Sequence, residues 1–212
     1  MNKVLRRLNE TLNGNKVYYL FVLFLFFIGI VIGGYVVKYM GDNNKSDLNL
    51  YLNDFLKGIN QKEVNYSELL ITVFKNNIII ILPIIIFSFT RFGMPIILIV
   101  DVFKGFSLGY TFALLSLANG GSGFLIASAS VIPQNILYIP AIIILSALGL
   151  STSLSILKNK ITKNNNNFDK NIQIKGMLKA GILIVGILLL GMVVETYLSP
   201  NIIKVVISKF YM

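Results

Sequence analysis

Gly105–Leu157, GFSLGYTFALLSLANGGSGFLIASASVIPQNILYIPAIIILSALGLSTSLSIL, runs for 53 residues without a charged side chain. A single membrane crossing needs only about 20 apolar residues, so this run is too long for one span and too apolar for a soluble core. The turn-rich cluster Asn119-Gly120-Gly121-Ser122-Gly123 divides it. The stretch therefore reads as two membrane helices joined by a tight hairpin. The second carries Pro133, Gln134, Asn135 and Pro140. Prolines free carbonyls one turn back, and in lipid such groups must find partners inside protein. This helix is expected to be kinked or broken between Pro133 and Pro140. Its two amides either satisfy backbone groups there or line a polar pocket at a helix break.

Working outward, Val17–Val37 is apolar throughout and reads as a retained first span. Lys38–Asn77 is mixed and balanced in charge. Within it Leu48, Tyr51, Leu52, Phe55 and Ile59 fall near helical spacing on one face. That face suits the membrane surface or a partner groove. Ser46 or Asp47 could cap this short helix, and Asn65-x-x-Glu68 resembles a capping box opening the next one. The second span covers roughly 72–90, the third 96–117, the fourth 123–157 and the fifth 180–198. At 1.5 Å per residue the fourth would be about 52 Å long, well beyond the roughly 30 Å hydrocarbon core. The sequence thus predicts an all-α membrane protein, a single membrane domain over residues 1–212 with five spans. An external amphipathic helix lies between the first two, and a basic loop, 158–179, joins the last two.

Composition agrees and removes whole classes of chemistry. The chain is 55% hydrophobic and 13% charged, against a globular average of roughly 25% charged. It has neither Cys nor His, which excludes thiol chemistry and most transition-metal and nucleophilic sites. No catalytic residue, cofactor or metal is expected. The net charge of +10 reads as membrane topology before nucleic-acid attraction, and no nucleic-acid partner is expected. With a cytoplasmic N-terminus the inside segments hold four, one and six basic residues, and the outside ones five, none and two. Five acids offset the first outside segment, so the C-terminus falls outside.

Three kinds of candidate site follow. Asp101 and Lys104 lie at i, i+3 inside a span, where charges are costly. They either neutralise each other or take part in transport or proton relay. Glu195, near the outer end of the last span, would pair with Lys38 or Lys75 or reach the interface. Gly29-Gly33 and Gly105-Gly109, extended by Ala113, are packing stripes, within a subunit or in a two-fold dimer.

Several of these elements together resemble the stage II sporulation protein M family. They are the basic N-terminus, Lys104-Gly105 with Gly109, Val131-Ile132-Pro133-Gln134-Asn135 with Pro140, and Glu195-Thr196-Tyr197-Leu198-Ser199-Pro200. The resemblance spans nearly the whole chain, with Asp101 standing where an apolar residue is expected. It implies a multi-pass protein of the sporulation septum and engulfing membrane. By resemblance its partners are the stage II sporulation proteins D and P, which degrade peptidoglycan, while the chain itself is a scaffold and not the hydrolase. The alternative is a permease-like subunit moving a solute or lipid at the fourth helix.

Overall fold

The structure is a computed structural model describing residues 16–61, 64–117, 123–161 and 181–211. Every regular element among them is helical. The chain forms α1 (Lys16–Lys38), α2 (Asp42–Gln61), α3 (Tyr66–Ser88), α4 (Gly93–Leu117) and α5 (Gly123–Ile161). The last helical run begins as α6 over 181–193, widens into a π-helical turn at Val194–Leu198, and ends as α7 (Ser199–Tyr211). Among the described residues five runs are long and apolar enough to cross a membrane: α1, α3, α4, α5 as far as Asn159, and Gly181–Ser208. The last is longer than the sequence suggested, because the chain continues as helix through Ser199-Pro200.

Local signals explain the boundaries. Asn65 caps α3, its side-chain oxygen accepting the Glu68 N–H at 3.4 Å. α2 opens at Asp42, one turn before the expected caps, which places an acid at its positive end. The turn Phe89–Phe92 is tight, with the Phe89 and Thr90 N–H groups still bonded to the last carbonyls of α3. The expected hairpin cluster 119–122 lies outside the described residues, as do residues 1–15 and most of the basic loop.

α5 is the central helix. Of its most apolar stretch 61% is buried in protein, against 22–28% for the other four runs. That burial gives the polar side chains of α5 and of its neighbours protein, not lipid, as their surroundings. It is also continuous: Pro133 and Pro140 sit inside unbroken α-helix, so the expected break is not seen. Gln134 and Asn135 donate to the Ser130 and Val131 carbonyls, Asn135 at 2.7 Å, which reinforces the turn that precedes Pro133.

Contacts fix the directions. Gly105 and Gly109 lie against Phe26 and Ile30 of α1, so α1 and α4 run parallel. Phe112 meets Phe124 while Gly93 meets Ser153, so α4 and α5 run antiparallel. Asn77 reaches Tyr138 and Thr90 meets Ser153, making α3 parallel to α5. Ser199 bonds Gln134 and Gly191 lies on Tyr138, so the last run is antiparallel to both. α1, α4 and α6 therefore point one way and α3 and α5 the other, the alternation five crossings require. At one end of the bundle α2 and α7 form a layer, with Leu52, Ile126 and Ile207 buried together and Leu48, Leu114 and Ile203 packed around them.

The glycines form a seam inside the subunit. A Cβ on Gly29 or Gly33 would collide with the Val102 or Phe106 carbonyl, and one on Gly105 or Gly109 with the Phe26 or Ile30 carbonyl. The four glycines so interlock that the α1 and α4 backbones touch. These faces are consumed within one chain, and the dimer expected through them has no such surface left.

Candidate functional site

The site grows from four helices that each place one polar side chain near mid-length. Asn77 sits in the middle of α3, Lys104 of α4, Tyr138 of α5, and Glu195 of the run Gly181–Ser208. The Tyr138 hydroxyl donates to Glu195 Oε2 at 2.7 Å. Asn77 Nδ2 bonds the same oxygen at 3.3 Å, the Tyr138 hydroxyl at 3.1 Å, and its own helix at the Val73 carbonyl at 2.9 Å. Lys104 Nζ lies over the Tyr138 ring, 5.6 Å from its centroid, within the electrostatic reach of Glu195. Asn77 and Tyr138 are 4% and 2% exposed. Gly191 makes the room: a Cβ there would lie 2.7 Å from the Tyr138 ring.

The π turn presents Glu195. Pro200 has no N–H to offer one turn back, and the Ser199 N–H instead reaches the Val194 carbonyl, five residues away. The extra residue widens the helix where Glu195 meets Asn77 and Tyr138. Ser199 then anchors the turn by donating to Gln134 Oε1 at 2.9 Å. Thr196 bonds back to the Met192 carbonyl at 2.8 Å, and Tyr197 stacks on Tyr66 with centroids 5.3 Å apart.

Asp101 forms a second polar point one turn from Lys104. It is completely buried, and its Oδ1 accepts from Ser146 at 2.7 Å while Oδ2 has no partner. The expected Asp101–Lys104 pair is not formed: the two side chains turn to different groups, one to Ser146 and one to Tyr138. An ion pair does form on the surface, between Lys45 and Asp42 at 3.8 Å. Glu195 likewise pairs with neither Lys38 nor Lys75, because the helix continues past it and places it at mid-depth. Asn135 stays on its own helix, and its Oδ1 is buried and unpartnered.

The expected docking stripe divides. Leu48 and Leu52 turn into the α2–α7 layer and are not free for a partner, whereas Tyr51 is 68% exposed. The side chains of Phe55 and Ile59 lie outside the described residues. Tyr51 lines an open groove of about 320 Å³ with Met40, Asn44, Asp47, Leu48 and Tyr110.

Sequence reasoning passed over Asn77, Tyr138 and Ser146. The signal existed for Asn77, an amide followed by five consecutive apolar residues, and for Tyr138, four residues after Gln134 on the same face.

Five apolar helical runs around a buried polar cluster define a multi-spanning α-helical membrane protein. A family match to stage II sporulation protein M covers residues 22–200, from within α1 to the proline in the first turn of α7, and the chain belongs to that family. It is thus a multi-pass membrane protein of a sporulation family. Neither a curated protein nor a solved structure matches the chain.

Proposed function

We propose that the chain is a non-enzymatic membrane scaffold of the engulfment machinery, holding peptidoglycan-degrading partners at the septal membrane. Stage II sporulation proteins D and P are the partners the family resemblance suggests. The observation that carries this reading is the layer at one end of the bundle. α2 and α7 come from distant parts of the chain yet share one apolar cluster with α4 and α5. A paired, packed layer is a better platform than a lone amphipathic helix, because less ordering remains to be done on binding. Tyr35 stacks on Tyr39, Lys38 lies over Tyr39, and Leu50 and Tyr51 are exposed on the helix that follows. Aromatic residues in that position suit the membrane–water boundary and the core of a protein contact. The charge asymmetry favours this layer outside and the Arg91 turn in the cytoplasm, on the side opposite the wall.

Tyr51→Asp tests the platform, since Tyr51 is exposed and carries no internal contact of the cluster. The expected result is loss of D and P co-purification from sporulating cells with the chain at normal level in the membrane. Full recruitment by the variant would move docking elsewhere.

A further inference from the structure

We propose that the polar groups inside the bundle form a proton path between the two membrane faces, with Glu195, Lys104 and Asp101 as its stations. A scaffold needs no charge at mid-membrane, and charged groups there are costly and mark relays and ion paths. A purely structural set would neutralise itself by direct contact. Here Asp101 and Lys104 turn apart, and one buried oxygen of Asp101 is left without a partner. Lys104 reaches out over the Tyr138 ring on a flexible four-carbon stem.

Polar groups continue from these stations toward both ends. On the α2–α7 side, Gln134 bonds Ser199 at 2.9 Å, one turn beyond Glu195, and Tyr66 bonds Asn201 at 3.3 Å. On the other side, Ser146 bonds Asp101, and Ser153 bonds the Thr90 carbonyl at 2.8 Å close to the Arg91 turn. Gln134, Tyr138, Ser146 and Ser153 recur at four-, eight- and seven-residue intervals, so they share one face of α5, the most buried helix. The π turn is the second, independent observation. Such bulges recur at functional sites, and this one carries Glu195 itself.

The transfers balance. When its flexible stem swings from the Tyr138 ring to the unpartnered Asp101 oxygen, the Lys104 ammonium gives that carboxylate a proton, and Asp101 releases it past Ser146. The neutral Lys104 amine then takes the proton of a protonated Glu195, which recovers one from the Gln134–Ser199 side. One proton crosses and every group returns to its starting state, driven by the transmembrane potential.

The full chain, purified and reconstituted into vesicles holding a pH-sensitive dye, tests this under a potassium–valinomycin potential. The expected result is potential-driven pH change faster than in empty vesicles, falling to the empty-vesicle rate in Glu195→Gln and in Asp101→Asn. Glu195→Asp, which keeps the carboxylate, retains flux. Elution of each variant from detergent as the wild-type species separates loss of path from loss of fold. Should Glu195→Gln fail to elute so, Asp101→Asn and Ser146→Ala decide, being one turn or more from the Glu195 cluster. Wild-type vesicles no faster than empty ones, or folded variants as fast as wild type, would overturn the path. Recruitment of partners plays no part in this assay, so its outcome is independent of the scaffold reading.

Discussion

The α1–α4 seam and the α3–α5–α6 core hold the same bundle together by opposite means. At the seam four glycines bring two backbones into contact with no side chain between them. In the core Asn77, Tyr138 and Glu195 bridge three helices through hydrogen bonds. In lipid the hydrophobic effect does not drive helices together, so packing and polar contacts are the means left. The comparison teaches that the seam depends on shape alone and is intolerant of any added atom. The core depends on chemistry, and each of its bonds carries a modest share.

The seam therefore yields the largest effect. Gly105→Ile with Gly109→Ile would drive side chains into the Phe26 and Ile30 carbonyls. Overpacking costs typically about 1–3 kcal/mol per site and more where backbone must move. The double variant should fail to accumulate as folded protein, seen as loss of the detergent-solubilised peak. Gly34→Ile is the matched control, since a Cβ at Gly34 meets nothing within 4 Å. Equal behaviour of the two variants would break the distinction between buried seam and lipid-facing glycine.

The core should respond less. Asn77→Leu removes bonds to Tyr138 and Glu195 but leaves a well-packed apolar side chain. Polar contacts between membrane helices average about 0.6 kcal/mol with a maximum near 1.7. A fall of about 1–2 kcal/mol follows when two bonds and the partner's satisfaction are lost together. Thermal unfolding in detergent should register a lowered midpoint with folded protein still recoverable. A loss as complete as that of the seam variant would show that the core, and not the seam, carries the fold.

Much of this architecture was legible in the chain, for physical reasons that also mark where legibility stops. Spans are visible because about 20 consecutive apolar residues have few other uses. The glycine spacing revealed close helix contact, but spacing along one helix cannot name the facing helix, and the seam proved internal. Asp101 and Lys104 misled for a related reason. An i, i+3 interval brings Cβ atoms near on an isolated helix, whereas in the bundle α5 offers Ser146 to one and Tyr138 to the other. Ser199-Pro200 read as a helix end, because proline usually stops a helix. The helix instead absorbs the missing donor by one wider turn, a device with no sequence pattern beyond the proline itself. That is why Glu195 was placed near the membrane surface and not at mid-depth.

The π turn supplies the smallest and most discriminating effect. Pro200→Ala restores an N–H that can bond one turn back, removing the reason for the widened turn. If the extra residue relaxes out, the parts of the run before and after it rotate relative to each other by about 100°. Glu195 and Ser199 then cannot both keep Tyr138 and Gln134. The gain of a helical bond opposes the loss of these contacts, so the net change in stability should be under about 1 kcal/mol. The coupling is the informative quantity. In a double-mutant cycle with Asn77→Leu, the penalty of the second change should shrink once Pro200→Ala has released Glu195 from Asn77. Strict additivity would mean that the turn survives without its proline and that the neighbouring helices, not Pro200, impose it.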